Sequence, residues 1–341
     1  MDIVKIIGEY VKLTKRGRNY IGICPFHSDS RPSLTVSPAK MIFKCFVCGK
    51  GGNTPKFISE LKHMAYQDAC QLLSKKYGYD STYKYNEPIK QKIPNQQLER
   101  MYEINYYATL FFKNQLNLER FKNIKDYLLE ERKLDSLTIE KFNLGFASYN
   151  NELKDYLQKR GYKIKELYEL GLVRKNTNNE FIDFFKGRIM FPIINEFDKV
   201  VGFSGRDLKN NSNIKYLNTP ETPIFEKSKI LYNINNINDS KDVYLVEGYM
   251  DSIALSKLGK PAVALMGTNL SKHNEILVTK KFDNIYIFLD NDEPGKQATE
   301  KIKNQLANYG KNVKTIILND AYKDIDEYIR NSKQDGERVV R

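Results

Sequence analysis

The clearest hydrophobic pattern lies in the last third of the chain. Apolar residues there fall into four short runs, at 243–246, 261–266, 285–289 and 313–318, each too short for a buried helix. Between the first two, Ile253, Ala254, Leu255 and Leu258 take helical spacing. Runs that alternate with helical stretches predict a parallel α/β sheet, with closing helices over 295–309 and 326–330. Upstream, Tyr102, Tyr106, Leu110 and Phe111, then Ile124, Tyr127 and Leu128, predict helices across 98–146, and residues 153–173 add an amphipathic pair. Residues 184–193 read as an edge or barrel-like strand, followed by a turn at 195–198 and a second strand at 200–206. Near the N-terminus, alternation at 33–36 and 41–43 predicts two strands, and 61–77 a helix. Residues 80–97 are polar, contain Pro88 and Pro94 and lack periodicity, as a linker would.

Composition narrows the class. A chain of 341 residues has room for two or three domains. Its 41% hydrophobic and 28% charged residues are ordinary for a globular protein. The net charge of +13 favours a polyanionic partner, nucleic acid ahead of an anionic membrane. No apolar run reaches transmembrane length, and the start lacks the features of a signal peptide. The expected location is therefore cytoplasmic.

Two groups of residues carry candidate chemistry. Cys24-x2-His27-x17-Cys45-x2-Cys48 holds three of the four cysteines. Two close pairs joined by a hairpin-like stretch suit one structural Zn²⁺. His63 and Cys70 fall outside this pattern and read as helix residues. Arg31, Lys40, Phe43, Lys44 and Phe46 mix cations with aromatics able to stack on single-stranded bases. The second group is acidic. Glu247-Gly248 ends one predicted strand, Asp290-x-Asp292 another, and Asp324-x-Asp326 follows the last run. Carboxylates at the carboxyl ends of parallel strands repel one another unless a hard cation such as Mg²⁺ or Mn²⁺ joins them. The plainer alternative for Asp290-Asn-Asp292-Glu-Pro-Gly295 is a turn in which Asp caps a helix. Arg188, Arg206, Lys215 and Lys227 can either neutralise phosphates or remain solvated surface.

Glu247-Gly248 together with Asp290-x-Asp292 resembles the Toprim domain, and VEGYMDSIAL resembles the bacterial DnaG-type primases. CPFHSDSRPSLTVSPAKMIFKCFVCGKGGN is similar to the zinc-binding domain of that family, as GRIMFP, GFSGR and KYLNTPETPIF are to its polymerase core. The resemblance implies a multi-domain α/β protein. A zinc-ribbon, DNA-binding module (1–79) and a linker (80–97) precede a primase catalytic core with an α+β basic subdomain (98–241) and a Toprim parallel-sheet subdomain (242–330); a tail (331–341) ends the chain. Cys24, His27, Cys45 and Cys48 are implied as zinc ligands. Glu247, Asp290 and Asp292 are implied as catalytic residues holding Mg²⁺ or Mn²⁺, with Asp251, Asp324 and Asp326 as further metal ligands. Arg188, Arg206, Lys215, Asn218 and Lys227 would line the template and nucleotide groove.

The implied activity is that of a DNA primase, a DNA-dependent RNA polymerase making short primers during replication. Its partners would be single-stranded DNA template, ribonucleoside triphosphates and the RNA primer, with the protein a monomer. The expected form is short and phage-like: the domain that usually docks on the replicative helicase is missing, which leaves helicase recruitment open. Two other classes compete, a non-catalytic single-stranded-DNA-binding initiation module and another Toprim enzyme such as a nuclease. The sequence contains no Walker A motif, so it carries no sign of a fused helicase motor.

Overall fold

The computed structural model describes residues 2–27, 29, 31–45, 47, 48, 50–62, 64, 66–77, 94–208, 214–318 and 322–331. It divides into two units, Met1–Gln91 and Lys92–Arg341.

In the first unit Asp2 accepts hydrogen bonds from Val4 N and Lys5 N and so caps α1 (Ile3–Gly8). Five antiparallel strands follow in sheet order β1-β2-β3-β4-β5: β1 (Thr14–Arg16), β2 (Asn19–Gly22), β3 (Leu34–Ser37), β4 (Ile42–Cys45) and β5 (Gly51–Gly52). Alternation buries Leu34 and Val36 on β3 and Phe43 and Cys45 on β4, against Ile3, Ile6 and Ile7. Phe43 was expected to stack on bases. It is instead 1% exposed, packed 5.7 Å from Phe26 and 5.2 Å from Phe57 between ring centroids. Burying a side chain of this kind stabilises by about 1.5–3 kcal/mol. Phe46 lies outside the described residues.

The helix expected over 61–77 is two helices, α2 (Thr54–Lys62) and α3 (Tyr66–Tyr77). The N–H of Met64 turns back to the carbonyl of Ser59 at 3.1 Å and closes α2. Cys70 sits half-buried on α3; His63 and residues 80–93 lie outside the described residues.

The second unit begins with α4 (Asn95–Leu116), directly after Pro94. Its first three residues had been expected in the linker, but Pro94 supplies a fixed φ at the helix entry. Then come α5 (Lys122–Asp126), a π-helical turn (Tyr127–Glu131) and α6 (Ser136–Lys141), capped by Asp135. The next elements are β6 (Gly145–Ala147), α7 (Glu152–Lys159), α8 (Ile164–Glu169), β7 (Val173–Lys175), β8 (Phe181–Asp183), β9 (Arg188–Ile194), β10 (Val200–Asp207) and β11 (Tyr216–Asn218).

Gly145 and Phe146, expected to end a helical stretch, lie instead in strand β6, buried against β9 and α4. The strand expected to be an edge or barrel-like one, β9, is internal to an antiparallel sheet of order β11-β10-β9-β6. Pro192 is tolerated there because its partner Phe203 sends both its N–H and its C=O to Thr219, so no ladder donor is missing.

A parallel sheet of order β13-β12-β14-β15 completes the unit, from β12 (Asp242–Val246), α9 (Tyr249–Lys257), β13 (Ala262–Ala264), α10 (Lys272–Lys281), β14 (Asn284–Ile287), α11 (Glu293–Leu306), β15 (Asn312–Thr315) and α12 (Ile325–Asn331). One apolar cluster runs from Leu116 through Phe191 and Tyr249 to Tyr328, so the two four-stranded sheets of this unit share a core, while β7 and β8 pair separately. Asn331 belongs to α12; the rest of the expected tail lies outside the described residues. Among the described residues no helix is long and apolar enough to cross a membrane.

Candidate active site and metal centre

Strands β12 and β14 are hydrogen-bonded neighbours running the same way, so their carboxyl ends bring Glu247 and Asp290 together. Glu247 Oε1 accepts a hydrogen bond from Asp290 N at 3.2 Å. The turn closes only over glycine: a Cβ on Gly295 would lie 2.1 Å from the Asp290 carbonyl oxygen and 3.0 Å from Glu247 Oε1. Asp292 caps α11 by accepting from Gly295 N at 3.0 Å, so the capping reading of this loop holds alongside any other role. Asp324 Oδ1 likewise accepts from Glu327 N at 2.7 Å, at the start of α12.

Glu247, Asp290 and Asp324 face a groove of about 550 Å³, whose lining does not include Asp292. Its lining includes the acids Glu247, Asp251, Asp290, Asp324 and Asp326 together with Arg206, Lys215, Lys227 and Asn218. Burial, then Glu247 and Asp324, pushes the Asp290 carboxyl up to about 7. Burial, with Asp292 adding to it, raises Glu247. Burial also lowers Lys215 and Lys227, and neighbouring Arg206 opposes the Lys215 charge further. The groove therefore gathers acidic charge, partly withdrawn from water, that a cation would relieve and basic charge that an anion would relieve. Cations also stand directly among the acids: Arg132 and Arg330 beside Asp326, and Lys323 beside Asp290 and Asp292. Lys323 Nζ stands 3.5 Å from Asp292 and 3.9 Å from Asp290, with its side chain 60% exposed.

Three expected site residues have other work. Arg188 is 7% exposed, and its guanidinium donates to the carbonyls of Gly205, Ile214 and Lys215. It ties the strand segment that carries Lys215 and is not in the groove lining. Asp251 is buried, and its two oxygens accept from Gly248 N at 3.1 Å and Asp326 N at 3.2 Å. Asp326 is paired with both Arg132 and Arg330. Asp251 and Asp326 thus brace the acidic turn and also line the groove beside Glu247, Asp290 and Asp324.

The first unit holds a tighter group. Ligand atoms of Cys24, His27, Cys45 and Cys48 all lie within 4.8 Å of one another, with Cys24 Sγ and Cys48 Sγ 3.8 Å apart. Zn–S bonds of ~2.3 Å in a tetrahedron put two sulfurs about 3.8 Å apart. His27 turns Nδ1 toward Cys45 Sγ at 4.0 Å, and its Nε2 faces Asp29 at 3.7 Å. The Cys3His set fits Zn²⁺. Among the described residues the acidic side chains do not converge this closely.

Comparison with known proteins follows the same division. Residues 1–88 match the CHC2 zinc finger, 111–238 the DNA primase catalytic core, N-terminal domain, and 244–329 a Toprim-like family. The crystal structure of the Aquifex aeolicus primase (zinc-binding and RNA polymerase domains) aligns over 97% of this chain and 80% of its own, at 31% identity and a TM-score of 0.62. The chain belongs to the DnaG-type DNA primase family. The DNA primase of Staphylococcus epidermidis is 39% identical over the whole chain. This chain spans 57% of that relative's length. A DnaG primase catalytic domain bound to single-stranded DNA aligns over 69% of this chain and 78% of its own, at 29% identity and a TM-score of 0.62.

The sequence reading missed several residues of this primase-family groove. Arg132 directly follows the π-helical turn, in a stretch whose only sequence signal was helical periodicity. Lys323 directly precedes Asp324, and that adjacency was the one available hint. Met266 lines the groove with a φ of 57°, a left-handed conformation that nothing in the sequence announces. Tyr249 also lines it, although its position after Glu247-Gly248 reads only as the start of a helix.

Proposed function

We propose that the chain is a DNA primase: it copies single-stranded DNA into short RNA from ribonucleoside triphosphates. The observation that carries this reading is the meeting, in one groove, of carboxylates at the ends of neighbouring parallel strands with the cations Arg206, Lys215 and Lys227. Glu247, Asp290 and Asp324 would hold Mg²⁺ or Mn²⁺, with Asp292 at the rim. Oxygen-only donors suit these hard ions. When bound, such an ion would lower the pKa of the primer 3′-hydroxyl and offset charge on the transferring phosphoryl group. Arg206, Lys215 and Lys227 would bind the triphosphate and the template backbone, fixing both in line and neutralising charge as it shifts to the leaving oxygen. No side chain need act as a nucleophile. The zinc unit, with exposed Lys40 and Arg31, would take part in engaging the template.

Extension on single-stranded DNA with labelled ribonucleotides tests this reading. Template-dependent RNA from the wild type, absent with Asp290→Ala, is the expected result. Salt-sensitive DNA binding without product from either protein would favour the binding module, and cleavage of the template would favour a nuclease.

A further inference from the structure

Asn218 and Tyr249 come from different sheets. Asn218 ends β11 and lines the groove, and Tyr249 begins α9, directly after Glu247 and Gly248. The Tyr249 hydroxyl donates to Asn218 Oδ1 at 2.7 Å. Tyr249 is 3% exposed, and its ring is enclosed by Tyr232, Phe191 and Tyr216 at centroid distances of 4.8, 5.4 and 5.4 Å. A ring packed on three sides cannot swing its hydroxyl away.

A primary amide has one acceptor oxygen and one donor nitrogen. With Oδ1 engaged by the phenol, Nδ2 is the group left for a ligand in the groove. Resting on the primase reading above, we propose that Tyr249 is a positioning residue for the incoming nucleotide: it fixes the Asn218 amide so that Nδ2 donates to the triphosphate. Asn218 then adds a neutral, directional donor to the charges of Lys215 and Lys227. The same turn that presents the Glu247 carboxylate also sets this donor. One three-residue stretch, Glu247-Gly248-Tyr249, therefore couples the groove acids to the nucleotide donor.

The test is titration of the full chain with a fluorescent ribonucleoside triphosphate in Mg²⁺, together with steady-state extension. Tyr249→Phe keeps the ring and removes only the hydroxyl. It and Asn218→Ala should each weaken binding about three- to tenfold, the scale of one net hydrogen bond. In extension, KM for the nucleotide should rise while kcat stays within about twofold, since the lost contact is a uniform binding one. The double variant should bind no more weakly than Asn218→Ala alone, because both changes remove one shared contact. Asn218→Asp, nearly isosteric, should be worse than Asn218→Ala, since the phenol would hold one carboxylate oxygen and aim the other at the phosphates.

Multiplying effects in the double variant, or wild-type binding by Tyr249→Phe, would overturn the proposal. If Tyr249→Phe fails to fold, Asn218→Asp binding as well as Asn218→Ala would overturn it independently. Failure of the wild type to bind any triphosphate would instead remove the primase reading on which the proposal stands.

Discussion

In the zinc unit, four ligand atoms from two loops already lie within 4.8 Å of one another, on a sheet whose alternation buries Cys45 at the end of β4. In the groove, Glu247 and Asp290 are joined through a backbone N–H rather than through a common centre, and Lys323 stands over the acids from the solvent side. The contrast follows from ligand chemistry. Soft thiolates with imidazole form a closed tetrahedron that leaves nothing for substrate. Hard carboxylates leave positions for water or phosphate, and their mutual repulsion keeps them apart until a cation arrives. One centre is built to hold a fold together; the other is open enough to hold a reaction, as proposed above.

The largest expected effect is on the closed centre. Chelation, or Cys45→Ser, should unfold the zinc unit, because structural zinc contributes about 10–16 kcal/mol of apparent binding energy to such small modules. Circular dichroism with zinc stoichiometry reads this, and the thermal transition of residues 92–341 should persist. Survival of the unit without zinc would erase the distinction drawn here.

On the open centre, Asp290→Ala should lower primer synthesis about a thousandfold or more, the scale of losing a preorganised electrostatic contact, while thermal melting changes little. A large drop in melting temperature instead would make Asp290 a fold-holding residue like the cysteines.

Asp326 sharpens the comparison. Its carboxylate is 4% exposed and joins Arg132, 11% exposed, to Arg330. Asp326→Ala leaves two cations facing each other without compensation and should cost about 3–5 kcal/mol, measured by urea unfolding. Destabilisation below about 1 kcal/mol would return Asp326 to the set of free ligands.

The smallest effect concerns Lys323. Its exposed ion pairs are weak, on the order of 0.2–1 kcal/mol. Lys323→Ala should therefore tighten Mn²⁺ binding only about two- to fivefold by calorimetry. Weaker binding in the variant would mean that Lys323 assists the cation rather than competing with it.

Much of this organisation was legible in the sequence. The four short apolar runs became β12–β15 in one parallel sheet, and the CxxH…CxxC spacing became a converged ligand set. Both signals are local, being periodicity and short-range spacing. What escaped was set by tertiary partners. Phe43 sits on an alternating strand whichever face it presents, and only Phe26 and Phe57 decide that it is core. Arg188 reads as one more basic residue until three backbone carbonyls surround it. Asp251 and Asp326 share with Glu247 and Asp290 the charge that suggests a ligand, but long-range hydrogen bonds and arginine pairs commit them to framing the turn. The internal position of β9 depended on β6, three residues long in a stretch of helical pattern.

The most direct test of the central claim is template-directed RNA synthesis by zinc-loaded protein dialysed free of Mg²⁺ and Mn²⁺, then titrated with Mn²⁺. The account predicts no product before the titration, RNA appearing with Mn²⁺, and no recovery for Asp290→Ala at any Mn²⁺ concentration. Product formed by the zinc-loaded protein alone, or full recovery of the Asp290→Ala variant, would contradict the division into a closed structural centre and an open catalytic one.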